Sequence, residues 1–514
     1  MKIFTAKSKL SLLICLVIAV TMILGQPVLG AAEQPTTDAS GQSVTDASVQ
    51  NNTTVQYLNG VLDMIKDQYW GNVSDKNMVD ETVQGMFGAL DDYTQYMSND
   101  EKNTFMDTMS GAFGGIGVTL QVSGNYILVT KVFPSSPAEK SGVLQGDLIV
   151  EANGVSLVKA TTDKAVSAIK GEVGTTVKLG IMRDHYSKTI YKTVKREFVK
   201  ISPVTYEIRN GIGYIKLDMF NENTGEFFNK ALAEMDAKKI TKIILDLRDN
   251  PGGEVNQAVA VARKFVPKGL ITKLDYKSEK YDDQEYYSNL EKTKYKLAVL
   301  VNGASASASE IVSGAIQDTG AGKLVGTKTF GKAKFQSLIP MLTVDAFKKY
   351  KEEDNISAVN AYDLMINGIY PSDDEIAGYA KMTLGVYYTP KGRMIDGAGL
   401  TPDVKVDDPK PVAGIKVNNI QKLTETVEPR LNAQGDDIFN AEELLKVMGY
   451  KIAAPDNFLD SGTVAVLKEY QKKLGIKESG ILDKKTQASL NGELLKVTAK
   501  YDAQYSAAVN LLNQ

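Results

Sequence analysis

The sequence predicts an α/β protein of several domains. Its 514 residues suffice for about three to four domains of about 150 residues each. The composition, 43% hydrophobic and 24% charged, is that of a globular chain with ample core. The apolar periodicity changes along the chain: helical near both ends, close to two between about residues 111 and 200, and alternating between strand and helix from 201 onward.

The rare residues narrow the chemistry. One Cys among 514 residues cannot build a disulfide framework. One His, His185, cannot supply the paired imidazoles of most structural zinc sites. It falls in the polar stretch 183–186 (RDHY), which reads as a surface hairpin, so the sequence predicts no imidazole for catalysis. A formal charge of −3 without basic blocks argues against nucleic acid as a partner.

Residues 1–30 read as a signal peptide. Lys2, Lys7 and Lys9 precede an apolar run over 10–25, Gln26 and Pro27 break it, and Gly30, Ala31 and Ala32 are small. The run is short of the about 20 residues a spanning helix needs; an uncleaved anchor is the alternative. The protein is therefore expected to be exported, secreted or attached to the cell envelope. Residues 31–54, without an aromatic residue and with TDAS twice, read as a flexible linker. A helical region follows over 55–110: Tyr57, Val61, Met64, Ile65 and Tyr69, then Val83, Met86, Phe87 and Leu90, recur at three and four.

Over 111–200, GGIGVTL (114–120) leads into a strand and 126–129 form the next. SPAEKSG (136–142) reads as a short helix with a Gly stop, and GDLIVEANG (146–154) as a strand and an Asn-Gly turn. A helix over 162–169 and a strand over 176–182 complete the unit. It resembles a PDZ domain in the permuted arrangement of bacterial proteases. That resemblance assigns Gly115, Ile116, Gly117 and Val118 to the loop that binds a peptide's terminal carboxylate, through successive backbone N–H groups.

Residues 201–410 read as an α/β layered domain: strands over 213–217, 240–247, 296–302 and 323–326, helices over 224–237, 258–265 and 307–317. Residues 343–379, rich in Lys, Glu, Asp and Asn, read as a helical insertion. With His and Cys set aside, the nucleophile is Ser, Thr, Lys or a carboxylate. LDLRDNPGG (245–253) ends a buried strand in a glycine-rich turn, and NGASASASEI (302–311) joins a strand to a helix N-terminus. Small residues admit a close substrate and the helix N-terminus favours developing negative charge. Taken singly, Ser307 to Glu310 fits a capping box and Asn250 to Gly253 a plain turn. These residues alone do not choose among Ser305, Ser307 and Ser309.

Together with TFGKAKFQ (329–336) and YYTPKGRMIDGAGLTPD (387–403), these stretches resemble the carboxyl-terminal processing, or tail-specific, serine proteases of peptidase family S41, in family order around the inserted PDZ domain. The resemblance implies a crotonase-like α/β core, protein substrates with free C-termini, and no metal or nucleotide cofactor. It places the nucleophile on Ser307, the base on Lys332 and the orienting group on Gln336. The oxyanion donors follow as the N–H groups of Ala308 and Gly253, with Gly252 as the alternative. Where relatives carry Gly and Ser or Thr, this chain has Ala333 and Lys334; strand alternation turns Lys334 to solvent. To accept a proton, Lys332 must drop about two to three units from about 10.4, about 3–4 kcal/mol, through desolvation. Phe330 and Phe335 are the apolar neighbours available for that.

Residues 411–495 return to helical patterning. Tyr470-Gln471, Gly480-Ile481-Leu482-Asp483 and Lys485-Thr486 resemble a small three-helix peptidoglycan-binding module, which makes peptidoglycan a candidate partner. A helical module packing on the protease or a second subunit is the alternative. Residues 496–514 form a final helix. Apolar stripes on it and on the N-terminal region predict a homodimer. A catalytically inactive PDZ scaffold and a wall-binding interaction protein are the rival functions.

Overall fold

The computed structural model describes residues 46–183 and 188–514. The signal and most of the linker, and His185, lie outside the described residues. The chain divides into two compact units, one of residues 103–335 and 384–514, the other including residues 46–102 and 336–383.

In the first unit a six-stranded sheet runs Val204–Arg209, Ile212–Leu217, Lys242–Asp246, Lys296–Val301, Lys323–Gly326, Val404–Lys405. The first pair is antiparallel and the rest are parallel. Successive side chains face opposite sides. Ile243, Leu245, Leu297, Val299 and Val301 meet the helices Thr224–Ala237, Val255–Ala262 and Ala308–Thr319 in one core. Ile244, Ala298 and Leu300 meet Tyr505, Ala508 and Leu512 of the helix Ala503–Asn513 in another. This corrects one expectation: the tail's apolar stripe is covered by its own chain. The sequence hides that contact because some 200 residues separate sheet and tail.

The same unit holds a five-strand antiparallel path, Val118–Ser123, Tyr126–Val132, Leu148–Ala152, Thr176–Met182 and Thr189–Lys195, with the helix Thr162–Ile169 closing its core. A ribbon of Ala112–Gly115 and Glu197–Lys200 brings the segment's entry and exit together. Three helices, Asp436–Val447, Ser461–Lys473 and Lys484–Tyr501, share a separate core.

In the second unit the helices Asp46–Gln68 and Asp75–Gly88 precede the strand Gln95–Met97, which pairs antiparallel with residues 379–381 of Ile376–Tyr388. Val344–Glu353 and Ala361–Met365 pack with Leu342 and Ile376. Among the described residues, no helix is long and apolar enough to cross a membrane.

Candidate active site

The turn after Lys242–Asp246 and the loop after Lys296–Val301 meet because their strands are parallel neighbours, Asp246 opposite Leu300. Asn302 accepts from Asp249 N–H (3.0 Å) and donates to Asp249 Oδ1 (2.9 Å). Ser305 Oγ donates to Leu247 O (2.7 Å), Ser309 Oγ to Asn250 O (2.9 Å) and Ala306 N–H to Asn250 O (3.1 Å). The hydroxyls of Ser305 and Ser309 are thus spent on holding two loops together. Ser307, between them, is buried and has φ 55° and ψ −116°. A non-glycine residue in such a region costs about 1–3 kcal/mol and persists only where its surroundings impose it.

Gly252 is one such constraint: a Cβ there would lie 2.8 Å from Ser307 Cβ and 2.9 Å from Ala308 N. Gly252 N–H donates to Asn250 Oδ1 (2.9 Å), so it is spent within the turn. Gly253, with φ 142°, opens toward Phe220, whose carbonyl a Cβ would strike.

Glu310 is the second constraint, and its role goes beyond the capping box read from the sequence. Its carboxylate is fully buried. Oε2 accepts the N–H groups of Ser307 (3.0 Å) and Lys332 (2.9 Å); Oε1 accepts Gly331 N–H (2.8 Å) and Thr329 Oγ1–H (2.5 Å). Burial pushes the carboxyl up, and these four donors pull it back without cancelling the rise. Tyr387 ties the same two residues from the other side: its hydroxyl lies 3.0 Å from Ser307 O and 2.5 Å from Lys332 O. Burial and the nearby Glu310 and Asp396 push that phenol up. The backbones of Ser307 and Lys332, 25 residues apart in sequence, are therefore locked in one register.

Lys332 is 3% exposed. Residues of the 387–403 stretch brace it: Asp396 Oδ1 accepts Ala333 N–H (2.9 Å), and Tyr387 N–H donates to Ala333 O (2.8 Å). Lys334 is half-buried. Phe335 is buried against Tyr276, ring centroids 4.8 Å apart. Phe330 is 55% exposed and contributes little of the apolar wrapping expected of it. In the second unit Gln336 is fully buried and its Nε2 donates to Thr383 Oγ1 (2.9 Å).

The profile of peptidase family S41 matches residues 211–406. Over 463 residues the chain is 31% identical to the carboxy-terminal processing protease CtpA of Bacillus subtilis, covering 89% of this chain and 90% of that one. The chain belongs to the carboxy-terminal processing protease family. The carboxy-terminal-processing protease of Bartonella bacilliformis is also 31% identical, over 68% of this chain and 74% of its own length. Among solved structures, the photosystem II D1 C-terminal processing protease is similar over 70% of this chain and 89% of that one (TM-score 0.38, 24% identity). Further profiles match at residues 107–182 (PDZ domain), 434–490 (peptidoglycan binding domain) and 16–101 (N-terminal domain of the activating protease CtpB).

The PDZ domain of this protease carries a groove lined by Phe113, Gly115, Ile116, Gly117, Val118 and Ile169, among others. Its loop is fixed by carbonyls: Ile116 O accepts from Ala138 N–H (2.8 Å) and Gly117 O from Phe133 N–H (3.0 Å). Gly117 has φ 82°, and a Cβ there would fall 2.3 Å from Ser136 Cβ. The entry ribbon is anchored to the protease core by Asn223, whose Nδ2 donates to Ser110 O (2.8 Å) and Gly111 O (2.9 Å). Phe220, in the same turn, exchanges hydrogen bonds with Gly252 O and Glu254 N–H.

Arg248 joins the glycine-rich turn to the tail. Fully buried, it donates to Asp246 Oδ2 (2.6 Å), Asp502 Oδ1 (3.0 Å) and Gln504 Oε1 (3.1 Å). Burial pushes Asp246 up and Arg248 down, but the ion pairing wins, holding the carboxyl low and the guanidinium high.

Proposed function

We propose that this protease is an exported serine endopeptidase with a Ser307-Lys332-Gln336 triad, recognising substrate C-termini through its PDZ groove. The carrying observation is the strained, buried Ser307 whose N–H shares one Glu310 oxygen with that of Lys332. The Ser307 Oγ–H proton passes to neutral Lys332 as Oγ bonds to the peptide carbon and the carbonyl electron pair moves to oxygen. The resulting oxyanion sits on the amides of Ala308 and Gly253, Gly252's being spent. On collapse the C–N bond breaks and the lysine returns the proton to the leaving amine. Water then repeats the sequence on the acyl-enzyme.

The groove's apolar lining favours an apolar final residue, with its carboxylate on the amides of residues 115–118. Gating is supported by the short route from that loop through the Ala112–Gly115 ribbon to Asn223 and Phe220, and so to Gly252. Peptidoglycan as a partner, and an extracytoplasmic location, rest on the match at 434–490. A homodimer rests on the exposed Tyr57 and Met64 of the helix Asp46–Gln68 and on Tyr69 and Trp70 just after it.

The test is cleavage of an unstructured protein with an apolar C-terminus. Ser307→Ala and Lys332→Ala should each lose about 10⁴-fold in kcat; cleavage by Ser307→Ala at the wild-type rate would overturn the triad. A separate uncleavable C-terminal peptide should stimulate hydrolysis of a short reporter that lacks a PDZ-binding end. No stimulation at saturation would leave the PDZ domain a passive tether.

A further inference from the structure

We infer that Thr383, held by Asp91 and Thr94 of the N-terminal segment, is the positioning residue that decides which end of the Gln336 amide faces which way. The inference rests on the triad reading, in which Gln336 must present its carbonyl oxygen to an amine.

An amide side chain in a buried site has two nearly isosteric orientations, and only its neighbours choose between them. Here the chooser is the Thr383 hydroxyl. Gln336 Nε2 donates to Thr383 Oγ1 at 2.9 Å. A hydroxyl can either donate or accept toward a given neighbour, so this orientation holds only if the Thr383 proton is committed elsewhere. The contacts around Thr383 make its oxygen an acceptor: Thr94 Oγ1 donates to Thr383 Oγ1 at 3.4 Å, and the Asp91 carboxylate beside the two hydroxyls holds Thr94 in place through its N–H. Burial pushes that carboxyl up, and Tyr93 N–H (2.9 Å), Thr94 N–H (2.8 Å) and the two neighbouring hydroxyls outweigh it and hold it below the ordinary range. Asp91 is thus an anionic acceptor without a proton of its own to offer.

Backbone geometry fixes the rest. Gln95–Met97 runs antiparallel to residues 379–381, which brings the 91–94 turn against Thr383. Thr94 Oγ1 accepts Thr383 N–H at 3.2 Å and lies 3.4 Å from Thr383 Oγ1. The order runs from the Asp91 carboxylate, which holds Thr94 N–H, to the Thr94 hydroxyl, to the Thr383 oxygen that accepts it, to Gln336 Nε2 donating to the same oxygen. It leaves Oε1 on the opposite side of the amide, as the triad needs.

The test compares kcat and KM on a short reporter for Thr383→Val, Thr383→Ser, Asp91→Asn, Gln336→Ala and the Gln336→Ala/Thr383→Val double variant. Thr383→Val and Asp91→Asn should lower kcat about tenfold with KM little changed, the scale of one lost hydrogen bond. Thr383→Ser should restore most of the rate. The double variant should be no slower than Gln336→Ala, because Thr383 acts only through that amide. Thermal melts of every variant identify any that fail to fold, and the serine variant carries the test if valine does. Full activity in Gln336→Ala would overturn the triad reading and this inference with it. A crippled Gln336→Ala beside a fully active Thr383→Val, or additive losses in the double variant, would overturn this inference alone.

Discussion

Around Ser307 the buried polar side chains hold one residue in a conformation it would not otherwise adopt. In the C-terminal module, equally distinctive side chains simply satisfy one another. Gln471 is fully buried; its Nε2 donates to Ile481 O (2.8 Å) and Thr486 Oγ1 (2.9 Å), and its Oε1 accepts Gly480 N–H (2.8 Å). Asp483 caps the next helix by accepting Thr486 N–H (2.8 Å). The motif there builds a turn between helices. At the seam, Ser305, Ser309 and Asn302 build the loops, while strain collects on Ser307. Of the three alternating serines, the proposed nucleophile is the one with a positive φ and without a hydroxyl bond to the neighbouring loop.

The sharpest separation is Ser307→Gly. Glycine accepts φ 55° and ψ −116° readily, so the strain is released, less the entropy of the added freedom. Expected are an activity loss of about 10⁴-fold and a stability gain of about 1 kcal/mol. Loss of both together, in denaturant melts beside kcat, would place Ser307 with the structural serines.

Arg248 tests where the two regions are joined. Arg248→Ala leaves Asp246 and Asp502 buried without their cation, at about 3–5 kcal/mol. Because Asp246 leads into the glycine-rich turn and Asp502 ends the module's last helix, proteolysis and melting temperature should fall together. An unaltered melting temperature would dissolve the proposed joint. Arg248 stands in the LDLRDNPGG stretch, but nothing in that stretch points to its distant partner. Asp502 lies 254 residues away, and no periodicity reports a contact across that distance. Spacing carried Ser307 and Lys332 only by resemblance. Glu310 stood in view as the fourth residue of a capping box, and its second half, the grip on residues 329–332, appears only once the chain folds back. The alternation of Ile243, Ile244 and Leu245 was readable as a buried strand, because its two covered faces follow from the sequence alone.

Gln471→Ala is the mirror of Ser307→Gly. It removes three buried hydrogen bonds and orphans Gly480 N–H, costing about 2–3 kcal/mol. The module should melt earlier while cleavage of a soluble unstructured substrate stays near the wild-type rate. A matching loss of cleavage would mean that the module acts on the seam, and the two regions would no longer be separable.

The smallest expected effect is a pH slope confined to the module. Glu442 is buried, accepts Thr463 Oγ1–H and Asp456 N–H, and is pushed by burial to about 7 from 4.5. Below 4.5 both folded and unfolded chains hold the proton. Between 4.5 and about 7 the folded module keeps it and the unfolded chain releases it, so stability falls as pH rises through that window and levels off above it. The loss is about 3 kcal/mol at most. Glu442→Gln carries no such proton, so its melts at pH 5 and pH 8 should differ less than those of the wild type, whatever constant cost the substitution adds. Taking wild type minus variant removes the titration of every other group. Parallel slopes would show that Glu442 is ionised in the folded module at neutral pH. The turn at Asp456 would then be paired with a carboxylate like the one that grips Lys332, and the contrast between the regions would rest on Ser307 alone.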